Sequence, residues 1–99
     1  MTTTVQFTPQ GSAIMVSGAL NREGVPAAWR QRQQWVGTDE LLTLDLKGVE
    51  SVDSAGLAML IQLKAELLAA GRDLALQNTN EQLRAFAAVS GVTDLLSLS

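Results

Sequence analysis

The chain has 99 residues, of which 46% are hydrophobic and 17% are charged, and its formal net charge is -3. This size predicts one domain with one core over residues 1–99, and the composition argues against disorder. The few Lys and Arg residues are scattered, so nucleic acid is not an expected ligand. Cysteine and histidine are absent, which argues against disulfides, metal sites and triad-type catalysis. We therefore expect a protein that is not an enzyme and needs no metal or cofactor.

The N-terminal residues Met1–Val5 do not have the pattern of a signal peptide, in which basic residues precede an apolar run. No segment approaches the roughly 20 apolar residues that span a bilayer. No predicted helix pairs an apolar face with a Lys- and Arg-rich face, so direct membrane insertion is not expected. The sequence predicts a cytoplasmic protein whose contact with a membrane would come through a partner.

The first third of the chain predicts a hairpin followed by a helix. Val5–Thr8 alternates in polarity, and the turn signal Pro9-Gln10-Gly11 leads from it into Ala13–Val16 as a hairpin partner, so we expect two antiparallel strands. Pro26 suits a first helical turn, and the apolar spacing after it predicts a first helix from Val25 to about Val36.

Two tryptophans lie in this first helix. Trp29 is compatible with two roles, as a core anchor or as part of an interface, because aromatic residues are common in both places. Trp35 lies on another face of the predicted helix, and we expect it to be partly exposed.

The middle of the chain predicts a strand–helix–strand unit. Leu42–Leu46 alternates as a third strand, and a second helix is predicted from Ser54 to about Ala70, ending at Gly71. A short fourth strand is predicted at residues 74–76. This order predicts parallel strands joined by a right-handed crossover, and hence a mixed sheet.

The last quarter predicts a third helix. Thr79, followed three residues later by Gln82, has the pattern of a capping box, and the helix is expected to end at Gly91. Residues Val92–Leu98 are expected to add a short strand or a last helical turn.

Ser54 stands at the predicted start of the second helix. Its hydroxyl can accept a hydrogen bond from the N–H groups of the first turn, so we predict that it caps the helix, with Asp53 as a turn residue or an alternative cap. The positive end of a helix favours negative charge. The position therefore suits phosphorylation of Ser54, docking of a partner, or both.

The second helix has apolar residues on two sides, and only a narrow sector with Gln62 and Glu66 is polar. One apolar side must cover the sheet, while the other needs neighbouring helices or another protein. Met59 and Leu63 lie nearest the polar sector. They are expected either in the core or, as an exposed patch, in a docking surface.

The third strand and the start of the second helix resemble the signature of the STAS family, a fold shared by sulfate transporter tails and bacterial anti-sigma-factor antagonists. The matching residues are Leu44-Asp45-Leu46, Val49, Val52-Asp53-Ser54-Ala55-Gly56-Leu57 and Leu60. The resemblance covers nearly the whole chain. It implies an α/β fold with a mixed four- to five-stranded sheet and about three helices packed mainly on one face.

Within this family the chain is most similar to the small STAS subunit of the ABC transporter that maintains outer-membrane lipid asymmetry in Gram-negative bacteria. This resemblance implies a cytoplasmic accessory subunit that binds the transporter's ATPase and, through it, the membrane permease of the inner membrane. The expected partner-binding residues are Asp53, Ser54, Ala55, Gly56, Ala58, Met59, Gln62 and Leu63. The alternative is an anti-sigma-factor antagonist whose partner, a serine kinase, phosphorylates Ser54.

Overall fold

The computed structural model describes residues 5–96, which form one sheet with three α-helices. The strands are β1 (Gln6–Gln10), β2 (Ala13–Leu20), β3 (Leu41–Val52) and β4 (Asp73–Gln77), and the helices are α1 (Val25–Arg30), α2 (Ser54–Ala69) and α3 (Glu81–Val89). A 3₁₀ turn, Arg32–Gln34, follows α1. None of the helices in residues 5–96 is both long and apolar enough to cross a bilayer.

The strands lie in the order β1-β2-β3-β4. β1 and β2 form an antiparallel hairpin, whereas β3 runs parallel to both β2 and β4, so the predicted hairpin, crossover unit and mixed sheet are confirmed. β3 is much longer than β4, which pairs only with Leu41–Asp45. The second half of β3 therefore extends beyond β4 and pairs with β2 alone.

The final segment contains a helical turn rather than a strand in the part that the structure describes. The N–H of Leu96 donates to the carbonyl of Val92 at 3.1 Å. This confirms the helical-turn alternative for residues 92–96, while residues 97 and 98 of the prediction lie outside the described residues.

The core lies between the sheet and the helices, with α2 at its centre. α2 packs against β2, β3 and β4 and also against α1 and α3. The largest fully buried side chains are Leu20, Leu44, Leu60, Leu63, Leu83, Leu96, Val16 and Val52. Full burial of each such side chain contributes about 2 kcal/mol before conformational entropy is counted.

Met59 and Leu63 belong to this core, with only 3% and 0% of their surfaces exposed. Their prediction as partner-binding residues on an exposed patch is therefore wrong, and the core alternative is correct. α2 has helices as neighbours in addition to the sheet beneath it. Its buried face is consequently wide enough to include both side chains.

The first helix is shorter than predicted. α1 ends at Arg30, and the 3₁₀ turn that follows directs Trp35 toward the hairpin. The Trp35 ring stacks on Phe7 with centroids 4.0 Å apart, and its indole N–H donates to the carbonyl of Ala28. Trp35 is buried, so the prediction that it is partly exposed is wrong, because a continuous α-helix was assumed there.

Trp29 connects α1 to α2 through Arg32. The ring of Trp29 is half-buried against the core, and the guanidinium of Arg32 lies 4.2 Å above its centroid. Arg32 Nε also pairs with the carboxylate of Glu66 on α2 at 3.0 Å. Trp29 is thus a partly buried packing residue, as the core-anchor alternative expected.

The start of α3 differs by one residue from the prediction. Asn80, rather than Thr79, is the cap, and its side-chain oxygen accepts a hydrogen bond from the N–H of Leu83 at 2.8 Å. Gln82 does not complete a capping box, because its side-chain oxygen accepts from the N–H of Val52 at 2.7 Å. The short Asn side chain in extended backbone reaches the first helical turn directly.

Both long helices end as predicted, at glycines with left-handed backbone. Gly71 has a φ of 75° and Gly91 a φ of 71°, a conformation that costs glycine little. After α2, the N–H of Arg72 donates to the carbonyl of Leu67 at 2.8 Å, the bond typical of a Schellman motif.

Candidate functional site

Asp53, not Ser54, caps the N-terminus of α2. One carboxylate oxygen of Asp53 accepts hydrogen bonds from the N–H groups of Ala55 and Gly56, at 2.9 and 3.2 Å. The other oxygen accepts from the N–H of Arg22 at 3.1 Å. The prediction of Ser54 as the cap is therefore wrong and the Asp53 alternative is correct. Asp53 is the last residue in extended backbone, as a cap must be, whereas Ser54 is already helical.

Gly56 allows the start of α2 to lie against the end of β2. A β-carbon at Gly56 would be 2.3 Å from the carbonyl oxygen of Leu20, closer than any real contact of this kind. The same carbonyl accepts the N–H of Asp53 at 3.1 Å. Gly56 is itself buried, so its role is to permit this approach, and it offers little surface to a partner.

A second loop supports the cap from the other side. In the β2–α1 loop, the side-chain oxygen of Asn21 accepts from the N–H groups of Glu23 and Gly24, at 3.1 and 2.9 Å. This turn places the Arg22 N–H toward Asp53. The loops that follow β2 and β3 are thus joined by hydrogen bonds beside Ser54. These bonds hold the backbone on which the serine side chain stands.

Three of the predicted partner-binding residues share the solvent-exposed side of α2. Ser54, Ala58 and Gln62 are spaced four residues apart, and all three are exposed. Ala55 and Asp53 are half-buried beside them. The structure therefore places part of the predicted set on one face, while Gly56, Met59 and Leu63 lie beneath it.

The same face continues toward the end of the helix with residues that the sequence analysis did not select. Ala65 is exposed, and Leu68 is exposed over 50% of its surface. Their spacing from Ser54 and Ala58 is the signal that could have identified them. We define the α2 surface as the residues Ser54, Ala55, Ala58, Gln62, Ala65 and Leu68.

The α2 surface is chemically suited to protein contact. It is mostly small or apolar, and a helix that is apolar on nearly all sides is typically covered by other protein. Small side chains also let another backbone approach closely. At its edge, the charge of Glu66 is already paired with Arg32. Among residues 5–96, no group of three or more acidic side chains lies together in a way that could hold a metal ion.

Comparison with known proteins assigns the fold to a family. The family model described as "Mlab, STAS domain" matches residues 3–97, nearly the full length of the chain. The chain belongs to the STAS domain family. STAS domains act in protein–protein interactions and are typically regulatory or accessory domains, in agreement with the character of the α2 surface. A search of the curated proteins gave no match.

Two solved structures of anti-sigma-factor antagonists share the fold. The unphosphorylated form of the antagonist SpoIIAA is 17% identical, with a TM-score of 0.71 over 91% of this chain and 83% of that chain. An antagonist from Mycobacterium paratuberculosis is 19% identical, with a TM-score of 0.70 over 96% of this chain and 83% of that chain. At these identities the similarity concerns the fold.

A third match is to a much larger protein. The structure of SLC26A9 aligns with a TM-score of 0.58 and 17% identity. The alignment covers 99% of this chain but only 21% of SLC26A9, so it concerns a small part of that protein.

Proposed function

We propose that this STAS protein is a non-enzymatic, cytoplasmic accessory subunit that binds the ATPase of an ABC transporter maintaining outer-membrane lipid asymmetry. It would stabilise or regulate that ATPase, and would be held near the inner membrane through the permease of the same complex. The observation that carries this proposal is the match of residues 3–97 to the MlaB-type STAS model. The turn at Asp53–Ala58 also resembles that of MlaB.

The α2 surface supports binding to a partner protein. Ser54 presents a neutral hydroxyl at one end of an exposed helix face that is otherwise mainly alanine and leucine. Contact with an apolar face of the ATPase would remove Ala58, Ala65 and Leu68 from water, the main favourable term in such association. The sequence has no Gly-rich phosphate-binding loop with Lys and Ser or Thr, so nucleotide chemistry would be supplied by the ATPase.

The direct test is the affinity of the purified protein for the ABC ATPase encoded in the same gene neighbourhood, measured by isothermal titration calorimetry. We expect Ala58→Arg to weaken binding at least about tenfold, because it places a charge in the centre of the contact. Ser54→Ala should weaken binding modestly, and Ser54→Glu should weaken it more.

Ala88→Arg is a matched control, since it adds the same charge to an exposed alanine on α3. It should leave the affinity unchanged. Circular dichroism of each variant checks that the domain remains folded. Equal binding by the Ala58→Arg and Ala88→Arg variants, or no binding by the parent protein, would contradict the proposal.

The second candidate function is that of an anti-sigma-factor antagonist controlled by phosphorylation of Ser54. It is supported by the fold shared with two such antagonists and by the exposure of Ser54. The test is incubation with a serine kinase of the anti-sigma type from the same genome, followed by mass spectrometry. Phosphate on Ser54, together with release of the kinase, would favour this function over the transporter role.

A further inference from the structure

One edge of the sheet carries unpaired backbone groups. Within the described sheet, β1 is an edge strand that pairs only with β2. Gln10 and Ala13 face each other across the two-residue turn of the hairpin, and such a closing pair exchanges its backbone hydrogen bonds. Because hydrogen-bonded and non-bonded pairs alternate, Phe7 and Pro9 occupy non-bonded positions. Their backbone groups therefore point away from β2.

Pro9 fits this assignment, because a residue without an N–H is tolerated in a strand where that group would face outward. The outward groups of β1 are then the N–H and the carbonyl of Phe7 and the carbonyl of Pro9. Proline at this position also limits how far another strand can pair along the edge. The free edge is short, and it is centred on Phe7.

A groove of about 710 Å³ lies along this edge, between β1 and the α1 region. Its lining includes the consecutive residues 5–8 on one side and Ala27, Gln31 and Trp35 on the other. Successive side chains of a strand point to opposite faces, so Gln6, Phe7 and Thr8 of β1 can line one groove together only if it reaches the edge of the strand. The volume lies within the range of known ligand sites.

We propose that this groove binds an extended peptide segment of a partner protein, which pairs with the free edge of β1 and inserts one apolar side chain beside Phe7 and Ala27. Backbone hydrogen bonds to Phe7 would give affinity, and the groove would select the side chain, as in other cases of strand addition.

This site is independent of the proposed function, because it shares no residue with the α2 surface. The test uses the acetylated and amidated heptapeptide Lys-Thr-Val-Thr-Val-Thr-Lys as the probe. Binding to the full chain is followed by NMR, with the hydrogen exchange rate of the Phe7 amide as the main readout. We expect saturable binding and slower exchange at Phe7, because the peptide carbonyl would accept that N–H.

Variants locate the site. Ala27→Trp and Gln31→Trp fill the groove from two positions and should each weaken peptide binding at least about tenfold. Ala65→Trp adds the same side chain to the α2 surface and should leave peptide binding unchanged. Phe7→Pro should abolish binding, whereas Phe7→Leu, which keeps the N–H, should retain most of it.

Three outcomes would overturn the proposal. They are the absence of saturable binding, unchanged exchange at Phe7 on binding, and a loss of binding in Ala65→Trp equal to that in the groove variants. A dimer in sedimentation experiments that dissociates in Phe7→Pro would also overturn it, because a second copy of this chain would then occupy the edge. Loss of ATPase binding alone would leave this proposal standing.

Discussion

The ammonium group of Lys64 forms an ion pair with the carboxylate of Asp73 and connects the buried face of α2 to the first residue of β4. Lys64 is 8% exposed, and its stem is part of the core, while Asp73 is open to solvent. The hydrogen bond from Lys64, with a second from the N–H of Leu74, lowers the pKa of the Asp73 carboxyl below its ordinary value of 3.8. This pair is therefore one source of pH-dependent stability in the described residues.

The first prediction concerns acid stability. A carboxyl whose pKa is lowered by folding stabilises the folded state above its unfolded pKa, and this contribution is lost as the pH falls through the folded pKa. We expect the parent protein to be more stable than Asp73→Asn at neutral pH, and the difference to shrink below pH 3.8. Urea unfolding at several pH values measures this. A difference that does not change with pH would show that the ionised carboxylate is not responsible.

The second prediction separates the helix cap from its neighbour. Asp53→Ala removes the acceptor for the N–H groups of Ala55 and Gly56, and should cost about 1 to 2 kcal/mol of unfolding free energy. Ser54→Ala should change the unfolding free energy by less than about 0.5 kcal/mol, because the Ser54 side chain is exposed. Chemical denaturation of the two variants compares them directly. Equal losses of unfolding free energy in the two variants would indicate that the Ser54 side chain caps the helix as much as Asp53 does.

The third prediction concerns the approach of α2 to β2. Gly56→Ala would place a β-carbon against the backbone oxygen of Leu20, and neither backbone can yield easily. We expect a loss of at least about 2 kcal/mol in the unfolding free energy. Gly37→Ala is the control, because no atom lies within 4 Å of the added carbon and only its positive φ costs energy, about 1 kcal/mol. Equal stability of the two variants would mean that the helix can move away from β2.

The fourth prediction concerns the part of β3 that extends beyond β4. Gln82 accepts the N–H of Val52 and so replaces a missing strand partner at this point. Gln82→Ala leaves that N–H without its partner, and we expect a loss of about 1 to 2 kcal/mol in urea unfolding. Gln77→Ala, at an exposed position in β4, should stay within about 0.5 kcal/mol of the parent. A Gln82→Ala variant as stable as Gln77→Ala would show that water satisfies the N–H.

The hairpin, the parallel strand pair and the ends of α2 and α3 could be predicted because local chemistry determines them. The hairpin follows from two strand-forming segments around a turn, and the parallel pair from a helix between two strands. Gly71 and Gly91 end their helices because few other residues adopt left-handed backbone at low cost. Each of these signals lies within a few residues of the feature that it determines.

To predict the two N-caps and the buried residues of α2, one needs information that a single segment of sequence does not carry. Asp53 and Asn80 each stand beside a serine or threonine that could cap equally well, so only the point where the backbone becomes helical decides between them. The burial of Met59 depends on helices distant in sequence that pack beside α2. An apolar residue gives no indication of whether the protein itself or a partner covers it.

The hydrogen bonds of Asp53 limit how a phosphate on Ser54 could act. The amides of Ala55 and Gly56, which would otherwise attract an anion at the start of α2, already bind the Asp53 carboxylate. An added phosphate would therefore meet a neighbouring negative charge instead of vacant donors. Phosphorylation of Ser54 would therefore repel a partner bound to the α2 surface, while the domain itself would stay folded. A switch that works by charge repulsion requires both effects.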